Sequence, residues 1–356
     1  MAYSTINKHT DFFNSKVWTG NSNTTRDITG VGFQPDLSWV KNRSLASDHR
    51  AADAVRGANK GLVPNGSDAE DSSTTAVKSF LSDGIQIGNE QSFNRNGDNH
   101  VGWFWKGGTT SGIATGPSTT ITPTAYSFSQ TSGVSIIKYT GNGTSGAGVP
   151  HGLGKKPQFF MVKRLDTTGS WQVFWQPGIN ISNATKYMIL NSTWGENTNN
   201  NRWNGWQPNT YDIYLGNSTE VNASGGTYVA YVFANITGFS KAGQYQGSGL
   251  TSNSPFIYTG FAPTFVMIKS IANASLVWNI RDTKRNTDGN PNDRMLYPSS
   301  NEAENSHGAN HVDLLSNGFK IRTSNGHTNA SDSYDYLYLA FGQSLVGSNN
   351  VPCTAR

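Results

Sequence analysis

One phrase occurs three times in this chain: an aromatic-x-Gly turn, then a proline, then an apolar run that ends in lysine. The copies are Trp18-Thr-Gly20 with Pro35 and Lys41, Tyr139-Thr-Gly141 with Pro157 and Lys163, and Tyr245-Gln-Gly247 with Pro263 and Lys269. Trp18 to Pro35 is 17 residues, and Tyr139 to Pro157 and Tyr245 to Pro263 are 18 each. Proline to lysine is six residues in every copy. A repeat of roughly 110 residues is too long for a solenoid unit and suits a small domain copied three times.

The register continues past the lysine. Asp53-Ala-Val-Arg56 in copy one answers Asp282-Thr-Lys-Arg285 in copy three, where copy two has Trp175-Gln-Pro-Gly178. Ser82-Asp-Gly-Ile-Gln-Ile-Gly88 then answers Ser316-Asn-Gly-Phe-Lys-Ile-Arg322. Each copy closes on an Asn-led turn and an aromatic strand, Asn94 to Trp105, Asn222 to Phe233 and Asn329 to Phe341. The expected organisation is an arm at 1–9, repeats at 10–107, 133–237 and 238–345, and a tail at 346–356. A Gly/Ser/Thr/Pro linker at 108–132 separates the first two repeats. Copies two and three are joined only by the short stretch Ile236–Gly243 and should pack as a pair.

Apolar stretches are short, rich in β-branched and aromatic residues, and bounded by Gly, Asn or Pro, which predicts strands. The runs Phe159–Arg164 and Phe265–Lys269 read as buried strands whose lysine emerges into solvent. Only Asp48–Asn59 and Glu70–Leu81 suggest a turn or two of helix. The expected fold is all-β: three tandem antiparallel β-sandwich modules of lectin or jelly-roll type. Of 356 residues only 14% are charged and 12% are aromatic, too aromatic for a disordered chain. The net charge of +4 is spread without a basic stripe, which argues against nucleic-acid binding. No apolar run approaches the roughly 20 residues of a membrane span. The single Cys353 allows no internal disulfide, and the first residues lack the apolar core of a secretion signal. Asn-x-Ser/Thr triplets such as Asn142 and Asn235 reflect turn composition.

The phrases Gly32–Ser44, Asp53–Gly57, Leu81–Gly88 and Gly226–Ala234 resemble a repeated domain of structural proteins from marine bacteriophages, cyanophages especially. The resemblance recurs in all three copies. It implies a virion component on a tail or head appendage, made in the host cytoplasm and packed against other virion proteins. A homo-oligomer follows, with a trimer as the usual symmetry of fibres. Capsid decoration is the alternative within that class, and the resemblance carries no catalytic motif and no cofactor.

The rival from another class is a polysaccharide-degrading enzyme, which needs two carboxylates flanking one bond. Asp53 with Glu70 and Asp282 with Glu304 are the candidates, but each aspartate precedes an arginine by three residues, Arg56 and Arg285. A structural ion pair closing a loop is the reading adopted, and no enzyme is expected. His307 and His311 have metal spacing without further ligands. Asp282, Asp288, Asn290, Asn292 and Asp293 form an oxygen-rich loop without the closing glutamate of a calcium hand. Copy two departs most between Glu196 and Tyr211, where Trp194, Arg202, Trp203, Asn204 and Trp206 crowd a polar loop. Three readings stand for it: burial against copy three or a neighbouring subunit, stacking of a host surface glycan, or edge packing within the module.

Overall fold

The computed structural model describes residues 4–176, 184–272, 275–286, 289–306 and 311–346. It is nearly all-β, 42% strand and 6% helix, built of antiparallel sheets none of which closes. Asp288, His307 and Cys353 fall outside the described residues.

Repeat one holds β1 (Phe13–Thr19), β2 (Arg26–Thr29), β3 (Leu37–Asn42), β4 (Arg50–Asp53), β5 (Lys60–Gly61), β6 (Asp71–Ser72), β7 (Val77–Leu81), β8 (Gly84–Ile87) and β9 (Asn99–Trp105). Its main sheet runs β1-β9-β3-β4, and a smaller sheet runs β2-β8-β7. Repeat two holds β10 (Ala125–Ser129), β11 (Val134–Thr140), β12 (Ala147–Pro150), β13 (Phe159–Arg164), β14 (Gln172–Trp175), β15 (Lys186–Ile189), β16 (Asn197–Thr198), β17 (Asp212–Leu215) and β18 (Thr227–Phe233). Its main sheet, β10-β11-β18-β13-β14-β15-β16, has the same centre, and β12 pairs with β17. Repeat three holds β19 (Ser240–Gln246), β20 (Phe256–Tyr258), β21 (Phe261–Ser270), β22 (Asn279–Asp282), β23 (Arg294–Met295), β24 (Asn305–Ser306), β25 (Val312–Leu315), β26 (Gly318–Ile321) and β27 (Asp335–Ser344). Its sheets run β19-β27-β21-β22 and β20-β26-β25. The proline-to-lysine phrase forms β3, β13 and β21 in turn. Pro263 lies inside β21, where the register slips between Pro263 and Phe265 and then matches the other copies.

The aromatic-x-Gly turn is a lock between the first strand and a short helix. The helices are α1 (Gln91–Asn94), α2 (Asn200–Trp203), α3 (Thr219–Asn222) and α4 (Gly326–Asn329), and not the two segments the sequence suggests. Trp18 Nε1, Tyr139 Oη and Tyr245 Oη donate to the carbonyls of Phe93, Val221 and Thr328, each one residue before the final asparagine of α1, α3 and α4. The aromatic must therefore carry a donor. A Cβ at Gly141 would lie 2.4 Å from the Ala223 carbonyl oxygen, so the backbones meet there without a side chain between them.

The central main-sheet strands, such as β3, β13 and β18, are buried on both faces, and for that reason they read as continuous apolar runs rather than alternating ones. In repeat one, Val40 and Phe104 face a cluster completed by Ile28, Ile85 and Ile87 of the smaller sheet. The opposite face, with Leu37, Trp39, Trp103 and Trp105, enters one large cluster to which all three repeats contribute. At its middle the equivalent strand ends Trp105, Phe233 and Phe341 form a triangle of rings 6.4, 5.7 and 5.8 Å apart.

The three repeats close into a ring with pseudo-threefold contacts. The amides of Glu70, Glu196 and Glu304, at equivalent places, donate to the carbonyls of Leu165, Ile271 and Arg43, each two residues past a signature lysine of the next repeat. Trp171 Nε1 donates to the Val63 carbonyl and Trp278 Nε1 to that of Ile189, and His49 stands at the third equivalent place beside the Tyr297 backbone. The signature lysines do not emerge into solvent. Lys41, Lys163 and Lys269 are fully buried, and each Nζ donates to the carbonyl of the residue that follows it. The segment expected as a linker carries β10, which pairs along β11 and buries Phe128.

Candidate functional site

The two Asp/Arg pairs are buried at the seams. Arg56 Nε lies 2.5 Å from Asp53 and its Nη1 3.0 Å from Glu70; Arg285 makes the same contacts with Asp282 and Glu304 at 2.5 and 2.8 Å. Burial works against the charge of both guanidiniums, yet the facing aspartates hold them above the usual arginine value. Each aspartate also accepts from an aromatic donor of the adjoining repeat, Tyr231 Oη on Asp53 at 2.6 Å and Trp103 Nε1 on Asp282 at 3.0 Å. Both carboxylates of each candidate enzyme pair are therefore bound to one guanidinium. At the seam between repeats two and three the equivalent residues are Trp175 and Leu339, both in the shared core. Copy two has no aspartate where copy three has no donor to meet it.

The tryptophan loop divides. Trp203 is fully buried, edge-on to Phe160 at 4.9 Å, and donates to the Lys186 carbonyl, so it belongs to the core rather than to any surface. Arg202 is committed to Gln172 and Ser218 and lies over the Tyr187 ring. Asn204 accepts from Ser145 and, with Trp206, crowds Gly146. Trp206 packs edge-on to Tyr214 and stays half exposed, as does Trp194. Trp194 follows Thr193, whose carbonyl accepts Lys269 at the seam with repeat three.

A cleft of about 1220 Å³ opens at that same seam. The pseudo-symmetry explains it. At the seam between repeats three and one, Gln343 is engaged by the arm, accepting from His9 and donating to the Asn7 carbonyl. At the seam between one and two, β10 inserts, with Ser127 donating to Asp36. The connection from β18 to β19 has only six residues, 234–239, and brings no insert. Gln158 and Asn235, the equivalents of Asp36 and Gly107, therefore line an open space.

Its walls mix amides with aromatics. Repeat two contributes Trp175, Gln176 and Gln207, and repeat three Gln244, Phe256 and Tyr258, the last two about half exposed. Lys186 is paired with Glu196, and Lys156 donates to Gln207. Lys241 donates to the Tyr258 carbonyl and lies near its ring. Burial lowers the pKa of Lys156 and Lys241. Trp175 Nε1 and Gln176 Oε1 are buried there, and neither has a hydrogen-bond partner among the described residues. Among the described residues no cluster of His, Cys, Asp or Glu could hold a metal, and no helix is long and apolar enough to cross a membrane. The arrangement offers directed hydrogen bonds and flat apolar faces, which suit binding. Of these residues sequence reading noted only Trp175 and Gln176, as copy two's departure from the Asp-x-x-Arg phrase; the signal was the short connection between copies two and three.

No curated protein and no solved structure matches the chain. One family does, and its pattern runs through all three repeats as a single unit: the chain belongs, over residues 8–344, to the family described as domain of unknown function DUF7483.

Proposed function

We propose that the protein is a structural component of a bacteriophage particle, a tail or head appendage built of three β-sandwich modules, which touches glycan on the host surface. Two sheets enclosing an apolar cluster in repeats one and three support the sandwich reading. The resemblance of Gly32–Ser44 and its sister phrases to phage structural domains supports the virion. In the particle the ring packs against other virion proteins and further copies of itself. The observation that carries the contact is the open seam, lined by half-exposed Phe256 and Tyr258 of repeat three, with half-exposed Trp194 and Trp206 outside its lining on repeat two. Stacking one sugar on one ring contributes on the order of 1 kcal/mol, so a single site is weak and several copies raise avidity.

Immunogold labelling of purified particles tests the placement, with label on an appendage expected; protein found only in infected-cell lysate overturns it. Binding of purified protein to host cells tests the contact. Trp206→Ala with Tyr258→Ala should reduce it several-fold with melting unchanged, and equal binding by that variant removes the glycan reading.

A further inference from the structure

β19 is an edge strand with half of its outer face already answered. Ser240, Ala242, Gln244 and Gln246 turn their main-chain groups away from β27, and the Ser240 N–H goes back to the Ile236 carbonyl. The Asn235 side chain accepts from the Ala242 N–H at 2.7 Å and donates to its carbonyl at 3.2 Å. Beyond Ala242 the outer groups of Gln244 and Gln246 face the cleft, and among the described residues β19 pairs with β27 alone.

The chain itself shows what covers the equivalent edge. Three residues before Tyr139 and Tyr245 stand Ile136 and Ala242, and one residue before them Lys138 and Gln244. On β11, Ile136 pairs with Ser127 and Lys138 with Ala125 of β10, and the Thr124 N–H donates to the Lys138 carbonyl. Beside it Ser127 reaches Asp36, whose counterpart Gln158 lines the cleft. β10 alternates small and aromatic residues, Ala-Tyr-Ser-Phe-Ser, and Phe128 enters the repeat-two core.

We propose that the cleft between repeats two and three receives an extended segment of a partner polypeptide, laid antiparallel along β19 with aromatic and small polar residues alternating as in β10. Main-chain bonds to Gln244 and Gln246 supply affinity, and the half-exposed rings of Phe256 and Tyr258 receive the guest's side chains. An edge strand left open is otherwise a hazard, and a built groove beside it gives the edge a use. This binding uses the same seam as the glycan contact, so the two compete for it and the arms of the test tell them apart.

The test uses the full chain and a fluorescent peptide of residues 123–131, Pro-Thr-Ala-Tyr-Ser-Phe-Ser-Gln-Thr. Saturable binding by fluorescence anisotropy is expected, weakened at least tenfold by Gln244→Pro, which removes an outward N–H while sparing the β27 ladder. Phe256→Ala, outside the ladder, should weaken it less and preserve folding if Gln244→Pro does not. Absence of binding at millimolar peptide overturns the proposal. So does undiminished binding in both variants, which would mean that the peptide displaces β10 at the other seam. Capture of host glycan by the cleft, lost in Phe256→Ala without any peptide binding, would assign the cleft to sugar and also overturn it.

Discussion

At the scale of single residues the seams depend on a few buried polar contacts whose members lie far apart in sequence. Asp53 accepts from the Arg56 amide, the Arg56 guanidinium and Tyr231 Oη with no exposure to water. Asp53→Asn should cost about 3–5 kcal/mol, because it leaves a buried guanidinium with half its charge partner and turns an amide donor toward other donors. Asp11→Asn, in the exposed Lys8–Asp11 pair, should cost less than about 1 kcal/mol. Urea unfolding of the two variants checks the contrast, and equal small losses would remove the seam role of Asp53. The ion pair was legible from Asp-x-x-Arg spacing. Its third partner was not, because Tyr231 is brought to it by the closing of the ring. Trp203 misled for a related reason: a polar sequence around an indole says nothing of which face the short helix turns inward.

At the scale of elements, β3, β13 and β21 each carry, one residue before their end, a lysine that the alternation of a half-wet strand would send outward. Both faces of these strands are covered, so the amine satisfies carbonyls at the strand end instead. Burial lowers Lys41 and Lys163 to about 8 and Lys269 to about 7, from 10.5. Between those values and 10.5 the unfolded chain holds more protons than the folded one, so stability rises with pH through that window. Below about 7 the lysines are protonated in both states and their contribution is flat. Burial also raises Tyr139, Tyr231 and Tyr245 well above 10, so above pH 10 the unfolded chain loses protons that the folded one keeps, and stability falls. Denaturation midpoints should therefore be higher at pH 9.5 than at pH 7 and drop by pH 11. Lys269→Met should flatten the rise, and a midpoint that falls from pH 7 to 9.5 would contradict the burial. The strands themselves were legible, since their apolar runs and turn residues are local. The short helices were not, because four residues leave no periodicity to read.

At the scale of the whole molecule, three repeats share one apolar centre and behave as one body. Calorimetry should show a single transition, with tryptophan fluorescence and circular dichroism melting together. Repeat one expressed alone, as residues 10–107, would expose Phe13, Trp103 and Trp105 as a monomer and should fail to melt cooperatively at concentrations too low for it to self-associate. Three separate transitions would mean that the seams carry little. The equivalence of β3, β13 and β21 was legible and the ring was not: spacing within a copy records how its own strands pair, while the packing of copies depends on sheet faces that look alike in sequence. The equivalent backbone contacts from Glu70, Glu196 and Glu304 have a consequence for ancestry. Every copy carries both halves of one head-to-tail interface, so three identical, unconnected copies would close the same ring. In such an assembly any substitution appears at all three seams at once. In a single chain each junction varies on its own, and the one between repeats two and three has Trp175 where the others have Asp53 and Asp282, and stays open.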